Sequence, residues 1–324
     1  MTGARQLAVL GLCLGLILAG CGSSDDEATV SKAPDKSGQI SQLQKQVKRL
    51  EKRDKARQKR EAAAAEAKTA RVGGDVDANR ILAGLPGEAG LVVGAPGGGS
   101  PDFSGGSFTT GDAWSTIKVP IAERVLDDFG GPARISSTQK ANITSAITLS
   151  DNDAAAALFA DLEAKHGGLE GASDAVGEML RQAGDDETVI STQGRDSFST
   201  YGQTDWSLAN QFKYMAALAG GCISNSANRS YLLGQMASVS GSDTYGLGSA
   251  GFPAKWKGGW GPGTDGKYLV RQMGVMEVDG KQVVVAMAAI PDDGSFESGM
   301  SMLNDVARSV ATRLADQVSA PTGC

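Results

Sequence analysis

The C-terminal part of this sequence has strand-like segments at both of its ends and helix-like segments between them. Near its start, the apolar run AGLVVGAP is typical of a buried strand. Near its end, KYLVRQMGVMEV and KQVVVAMAAI flank Asp279-Gly280, a strong hairpin signal. A sheet that uses both ends must close after the intervening helices, so we predict an α/β sheet with a helical insertion. The predicted helices are Val119–Asp128, Ala154–Lys165, Gly171–Gln182, Leu208–Ala219 and, after the hairpin, about Ser301–Val318.

Residues 1–21 have the organisation of a secretory signal. Arg5 precedes an apolar stretch that ends near Leu18 and is too short to span a membrane. The tetrad Leu18-Ala19-Gly20-Cys21 resembles a bacterial lipobox. That resemblance implies cleavage before Cys21, a diacylglyceryl group on its sulfur, and a lipoprotein held on the extracytoplasmic face of the cell membrane. The alternative is a plain signal peptide followed by a free cysteine.

Composition divides the rest of the chain into three parts. Residues 22–39 are small and polar, as in a disordered linker, and residues 40–71 contain no Gly or Pro and form a charged helical stalk of about 45 Å. Two heptads are too few for a coiled coil, so we expect a monomer, with dimerisation through the stalk as the alternative. Residues 72–324 form the folded domain. They carry 17 Lys and Arg against 29 Asp and Glu, which argues against a nucleic-acid partner.

The four cysteines fit an oxidising compartment. Cys13 leaves with the signal and Cys21 takes the lipid, so Cys222 and Cys324 remain as a candidate disulfide. Two unpaired thiols are the alternative, since sequence does not set their distance. No C-x-x-C occurs, so we expect neither a zinc site nor a redox motif, and no cofactor.

The sequence AWSTIKVPIA sets Ser115 and Lys118 three residues apart at the start of an apolar helix. Burial there would lower the pKa of the lysine and leave its amine free to accept a proton from the serine. His166, the single histidine, lies at a predicted helix end, where a cap or surface residue is usual. This position argues against a Ser-His-Asp triad and favours a lysine or carboxylate base. A second S-x-x-K, Ser137 to Lys140, has no apolar helix behind it and is treated as chance.

Two further motifs follow in order. Ser150-Asp151-Asn152 precedes a predicted helix, and Lys257-Gly258-Gly259 lies on a predicted strand. The order S-x-x-K, S-D-N, K-x-G resembles the penicillin-recognising serine hydrolases, which include class A β-lactamases and penicillin-binding proteins. The resemblance covers about residues 72–324. It implies an α+β fold in which an antiparallel sheet from both chain ends is flanked by helices and an all-helical subdomain is inserted.

The resemblance also assigns roles to individual residues. Ser115 looks like the acylated nucleophile and Lys118 like its general base, while Ser150 would pass a proton to the leaving nitrogen. The backbone N–H groups of Ser115 and Trp260 would form the oxyanion hole. The substrate would be bound by Asn152, Lys257, Gly259 and, through its carboxylate, Arg271; for Arg271 a surface position on the strand is the alternative.

The sequence departs from the family pattern in three ways. Gly258 has no hydroxyl where the third motif usually has Thr or Ser, which removes one contact to a substrate carboxylate. Only 35 residues separate Ser115 from Ser150, so the helical insertion is trimmed there. The glutamate that activates water for deacylation is missing from the segment GDDETVISTQGRDSFSTYGQTDW, where Glu187 and Asp196 are the candidates.

Three functions follow from this resemblance. The first is a cell-surface serine hydrolase that forms an acyl-serine with D-alanyl peptides of peptidoglycan or with β-lactams and deacylates slowly. The second is a β-lactamase with efficient water attack. The third is a wall-binding lipoprotein that kept the cleft and lost turnover.

Overall fold

The computed structural model of the chain describes Lys48, Lys55 and residues 76–324. Lys48 and Lys55 are both helical and belong to a first unit, Met1–Gln58; the rest belongs to a second unit, Lys59–Cys324. The predicted signal, Cys21, the linker and the remainder of the stalk lie outside the described residues. Within the described part of the chain, no helix has the length and hydropathy that a membrane span requires.

A five-stranded antiparallel sheet forms the centre of the second unit. In chain order its strands are β1 Gly87–Gly94, β2 Phe103–Gly106, β3 Ala254–Pro262, β4 Tyr268–Val278 and β5 Lys281–Pro291, and in space they run β2-β1-β5-β4-β3. The β4–β5 hairpin turns at Asp279 and Gly280, both at positive φ (49° and 79°), as the sequence predicts. Pairing of β1 with β5 joins the two ends of the domain.

Eight α-helices lie within residues 76–324. They are α1 Val76–Leu82, α2 Lys118–Asp128, α3 Ser137–Thr148, α4 Asn152–His166, α5 Leu169–Gln182, α6 Leu208–Gly220, α7 Ser226–Met236 and α8 Phe296–Ser309. Helices α1 and α8 pack on one face of the sheet, and the helices from α2 to α7 form the apolar layer on the other. Successive β1 residues point to opposite faces: Val92 belongs to the core with the helical insertion and Val93 to the core with α8. The predicted α+β architecture is therefore confirmed.

Several elements differ from the sequence predictions. Helices α1, α3 and α7 and the short strand β2 were not predicted. The second S-x-x-K does begin a helix, because α3 starts at Ser137 behind a capping box made by Ser136 and Gln139, but most residues of this helix are polar, in line with the sequence analysis. Its few apolar residues, such as Ile143 and Ile147, are fully buried. The last helix ends at Ser309 and continues as a π-helical turn and a 3-10 turn to Gln317.

A disulfide joins Cys222, just after α6, to Cys324, and its Cα atoms are 5.2 Å apart. The chain before Cys324 lies along the loop between β1 and β2. There the Thr322 N–H donates to the Pro96 carbonyl at 3.0 Å, and the Thr322 hydroxyl accepts from the Gly99 N–H at 2.9 Å. The disulfide thus fastens the C-terminal segment to the helical layer beside the sheet.

Candidate active site

Ser115 lies in a 3-10 turn, Trp114–Ile117, that leads directly into α2 at Lys118. Side chains three residues apart eclipse each other in a 3-10 turn, so Ser115 and Lys118 share one face. Trp114 has a φ of 47°, a left-handed conformation that is strained for a bulky side chain and that turns the chain sharply before the serine. Pro120 causes no break, because the N–H groups in the first turn of a helix have no partner within that helix.

The Lys118 side chain is buried between the helical layer and the S-D-N segment, with 2% of the residue exposed. Its Nζ donates to the Ser150 carbonyl at 2.6 Å and to Asn152 Oδ1 at 2.7 Å. Burial, followed by the positive charge of Lys257, lowers the pKa of Lys118 from 10.5 to about 7. A lysine with that pKa is partly neutral near pH 7 and can act as a general base.

The Ser115 hydroxyl makes no hydrogen bond to another described residue, including Lys118. The two residues remain one turn apart on the same face. Hydrogen bonds of catalytic groups are often long without substrate and shorten in the complex. The Ser115 hydroxyl is therefore free to contact a ligand, and Lys118 is held beside it by Ser150 and Asn152.

The S-D-N segment forms the wall of the cleft that belongs to the helical subdomain. Ser150 has a φ of 58°, and Asp151 caps α4 by accepting from the Ala154 N–H at 3.0 Å. The Ser150 hydroxyl accepts from Lys257 Nζ at 2.8 Å. The structure thus brings together Ser115, Lys118, Ser150, Asn152 and Lys257, the residues of all three motifs.

Strand β3 forms the opposite wall and approaches the Ser115 turn at Gly259. A Cβ at Gly259 would lie 2.8 Å from the Ser115 nitrogen and 2.9 Å from the Thr116 nitrogen, so only glycine allows this approach. Trp260, the other residue expected to contribute to an oxyanion hole, follows Gly259 directly on β3. Its side chain is 38% exposed and stacks on Phe296, with ring centroids 4.5 Å apart.

Asp243 is the site residue that the sequence analysis missed. It lies in a 3-10 turn, Gly241–Asp243, and its Oδ2 accepts from Lys257 Nζ at 2.7 Å, with both side chains almost completely buried. The indole N–H of Trp256 also donates to the backbone carbonyl of Asp243 at 2.8 Å. No motif marks this aspartate, because it lies in a Gly/Ser-rich turn whose partner is 14 residues away.

Arg271 corrects one prediction. It was a candidate for the substrate carboxylate, yet its side chain is fully buried beneath the cleft wall. Its guanidinium donates to the carbonyl groups of Gly111, Asp112 and Trp206 and to Gln211 Oε1, at 2.9 to 3.0 Å. Arg271 therefore supports irregular backbone segments and cannot reach a substrate. The alternative of a surface position on the strand is also wrong, because the residue is fully buried.

The two candidate bases for deacylation contact residues outside the three motifs. Glu187 is exposed and its Oε2 accepts from the Asn210 side chain on α6 at 3.4 Å. The Asp196 side chain is 75% exposed and lies 3.9 Å from Arg195. The carboxylates that act on the pKa of Lys118 are instead Asp243 and Asp151. Neither predicted candidate is therefore among the charges that shift the pKa of Lys118.

The loop that contains Asp196 closes one side of the cleft. The Phe198 ring meets the Trp114 ring edge-on with centroids 5.0 Å apart, and the Arg195 guanidinium lies 5.4 Å from the Phe198 centroid. Arg195 also donates to the Pro262 carbonyl on β3 at 2.6 Å. A cavity of about 550 Å³ lies between this loop and the β3–β4 turn.

His166 and the described acidic groups offer no competing chemistry. His166 is the last residue of α4 and its Nε2 lies 2.6 Å from an Asp128 oxygen on α2, which ties the two helices together. Among the described residues, no group of three or more His, Cys, Asp or Glu side chains could hold a metal ion.

Comparison with known proteins shows the fold. No family model and no curated protein matches the chain. Among solved structures, the extended-spectrum β-lactamase TLA-3 matches with a TM-score of 0.60 at 16% identity, over 75% of this chain and 100% of that one. A β-lactamase from Chitinophaga pinensis DSM 2588 matches at 0.59 and 16%, over 72% and 96%. PenP of Rhodopseudomonas palustris, assigned to class A, matches at 0.54 and 21%, over 72% and 97%.

The architecture and the three motifs define a penicillin-recognising serine hydrolase fold. Within that class, the fold of this chain is that of the class A β-lactamases. The fold resemblance stated from the motifs is thereby confirmed.

Proposed function

We propose that this protein is a serine hydrolase that forms an acyl-serine intermediate at Ser115 with D-alanyl peptides of peptidoglycan or with β-lactams, and that deacylates slowly. One observation carries the proposal: a buried lysine with a pKa of about 7 lies one turn from Ser115 and is held by the S-D-N segment. Burying a lysine without a full countercharge costs free energy of folding. A role in general-base catalysis is a reason for the protein to retain Lys118 at this position.

The proposed reaction uses these groups in turn. Neutral Lys118 takes the hydroxyl proton of Ser115 as the Ser115 oxygen bonds to the carbonyl carbon. The backbone N–H groups of Ser115 and Trp260 stabilise the oxyanion. The carbonyl carbon–nitrogen bond then breaks, and the nitrogen receives the proton from Lys118 through the Ser150 hydroxyl. Acyl-Ser115 and a free amine result, or a ring-opened adduct when the donor is a lactam.

Slow deacylation is proposed because a water molecule attacking acyl-Ser115 needs its own base. Glu187 hydrogen-bonds Asn210 on α6, Asp196 is largely exposed beside Arg195, and neither is among the charges that shift the pKa of Lys118. Loss of a general base typically lowers a rate by about 10² to 10⁴. The acyl-enzyme should therefore persist for minutes or longer.

The test is intact-mass spectrometry of the purified protein after incubation with a fluorescent penicillin. We expect a stable added mass that maps to Ser115 and is absent from Ser115→Ala. The matched control is Ser137→Ala, which removes the exposed serine of the other S-x-x-K sequence and should label normally. An adduct elsewhere, or no adduct, would contradict the proposal and leave the wall-binding alternative.

A β-lactamase is the second candidate, favoured by the names of the matching structures. Rapid hydrolysis of the penicillin without accumulated adduct would support it. In that case Glu187→Gln and Asp196→Asn identify the base of the attacking water, because only the variant of the true base should accumulate adduct.

We further propose that the mature chain is a lipoprotein anchored at the extracytoplasmic face of the cell membrane through Cys21. The lipobox tetrad supports this, and two acyl chains suffice for a stable anchor. Cys21→Ala should move the protein out of the membrane fraction or leave an uncleaved precursor. Unchanged fractionation would contradict the anchor.

A further inference from the structure

The cation that lines the β3 wall of the cleft, Lys257, has no hydrogen-bond donor left for a ligand. An ammonium group has three N–H donors. In Lys257 they go to Asp243 Oδ2 at 2.7 Å, the Ser150 hydroxyl at 2.8 Å and the Gly258 carbonyl at 2.9 Å. The residue is fully buried. A substrate carboxylate could bind Lys257 only by displacing one of these partners.

The charge of Lys257 is also opposed by a buried countercharge. The Asp243 carboxylate contacts it directly, and the side chains are 0% and 2% exposed, so solvent does not screen the pair. At the cleft the Asp243 charge opposes that of Lys257, as it does at Lys118, where the two charges shift the pKa in opposite directions. Asp243 therefore weakens the attraction for anions that a lone lysine on this wall would provide.

Gly258 removes a second contact, and Tyr245 fills its place. A Cβ at Gly258 would lie 2.7 Å from the Tyr245 hydroxyl and 3.5 Å from the Asp243 carboxyl carbon. The Tyr245 hydroxyl in turn donates to the Arg271 carbonyl at 3.3 Å. There is consequently neither a hydroxyl on this residue nor the space to put one.

The two nearby arginines are unavailable as well. Arg271 is buried, and both of its terminal nitrogens donate to backbone and side-chain oxygens of the protein. Arg195 is partly exposed, but it donates to the Pro262 carbonyl and lies within 4 Å of the carboxylates of Asp112 and Asp196.

We infer that the acyl donor of this site has no free carboxylate beside the scissile bond. The inference rests on the proposed function and narrows its substrate class. The preferred donor is a neutral ester or amide, such as a D-alanyl amide whose leaving amine belongs to a side chain or to an amidated residue. A peptide ending in a free D-alanine carboxylate is disfavoured, because Lys257, Arg271 and Arg195 are all engaged by protein oxygens and none is left to offset the desolvation of that charge.

The experiment compares two probes that differ only in this charge: benzylpenicillin and its methyl ester. The rate of Ser115 acylation is measured for each by intact mass, using the folded chain. We expect the acid-to-ester rate ratio to be about one or lower, because the ester avoids the desolvation of a carboxylate. A ratio of about ten or more would overturn the inference while leaving the proposed function intact. No Ser115 adduct with either probe would refute the proposed function and the inference with it.

The Asp243→Asn variant tests whether Asp243 is the reason that the site does not favour the acid over the ester. Loss of the carboxylate leaves Lys257 with an unpaired charge that can bind an anion, so the acid-to-ester ratio should rise about tenfold. The control is Asp161→Asn, which removes a carboxylate that hydrogen-bonds Gln139 within the helical layer, and should leave the ratio unchanged. An unchanged ratio in folded Asp243→Asn would contradict this role of Asp243. Thermal melting establishes folding; if Asp243→Asn does not fold, the wild-type ratio decides alone.

Discussion

Lys257 on strand β3 donates to the hydroxyl of Ser150 at 2.8 Å, and this hydrogen bond links the sheet to the helical subdomain across the cleft. The carbonyl of the same serine accepts from Lys118 at 2.6 Å. Ser150 therefore contacts both lysines of the site, one through its side chain and one through its backbone.

This arrangement separates two roles of Ser150. Ser150→Ala should keep the carbonyl contact to Lys118 but remove the hydroxyl that carries the proton to the leaving nitrogen. We expect acylation by a penicillin to slow by about 10² or more, with little change in melting temperature. Stopped-flow labelling and thermal melting measure the two quantities. Acylation at the wild-type rate would exclude Ser150 from the proton path.

The pH dependence of acylation should report Lys118. The reactive form is the neutral amine, and the pKa of Lys118 is lowered to about 7, so the rate should rise as the pH rises through about 7 and then level off. Lys118→Arg, which stays protonated, should lose acylation at every pH. A rate in the wild type that is flat from about pH 5 to 9 would show that Lys118 is not the base.

A buried carboxyl on the same helix should make stability depend on pH. Burial raises the pKa of Glu123 from 4.5 to about 7, and its Oε2 accepts from the Tyr214 hydroxyl at 2.5 Å. The folded state binds this proton more tightly than the unfolded state. The stabilisation is therefore complete below about pH 4.5 and is lost as the pH rises through about 7.

Glu123→Gln isolates this contribution. Between pH 4.5 and 8, the wild type should lose up to about 3 kcal/mol of unfolding free energy relative to the variant. Urea titrations at several pH values measure the difference. Glu178→Gln, at an exposed ion pair with Arg181, serves as the control and should follow the wild type. Parallel curves for Glu123→Gln and wild type would contradict the raised pKa.

The disulfide should contribute strongly to stability, because its cysteines are 102 positions apart. Closing a loop of that length restricts the unfolded chain by an amount worth up to about 4.7 kcal/mol, and 2 to 4 kcal/mol is typical. Reduction should lower the melting temperature of the wild type. The double variant Cys222→Ser, Cys324→Ser should already melt at the lower temperature and should not respond to reductant. Equal melting before and after reduction of the wild type would contradict this contribution.

The sequence was informative where a local pattern determines the structure. The Asp279-Gly280 turn and its flanking strands have a fixed geometry, and the S-x-x-K spacing places two side chains on one face whatever surrounds them. Helix α3 was missed because most of its residues are polar and only a few, such as Ile143, reach the core.

The errors at the site have one physical origin: tertiary contacts determine whether a charged side chain is paired within the protein or available to a ligand. Strand alternation places Arg271 opposite Gly259 in the β3–β4 register, but it does not reveal that backbone carbonyls cover the guanidinium. Asp243 has no local signature, and only the folded chain brings it to Lys257. The motif thus identifies Lys257 from the sequence, but it does not reveal the ion pair that Lys257 forms with Asp243.

The pairing of β1 with β5 also bears on how the domain can assemble. Val93 pairs with Val285, which lies roughly 190 residues later in the chain. The β1–β5 pair can therefore form only after almost the whole domain has been synthesised. A chain still emerging from the ribosome can form the local helices α2 to α7 but has no β5 to cover the edge of β1. Completion of the sheet, and with it the wall that carries Lys257 and Trp260, is therefore a late event, and the nucleophile turn forms in the chain before the cleft that gives it a function.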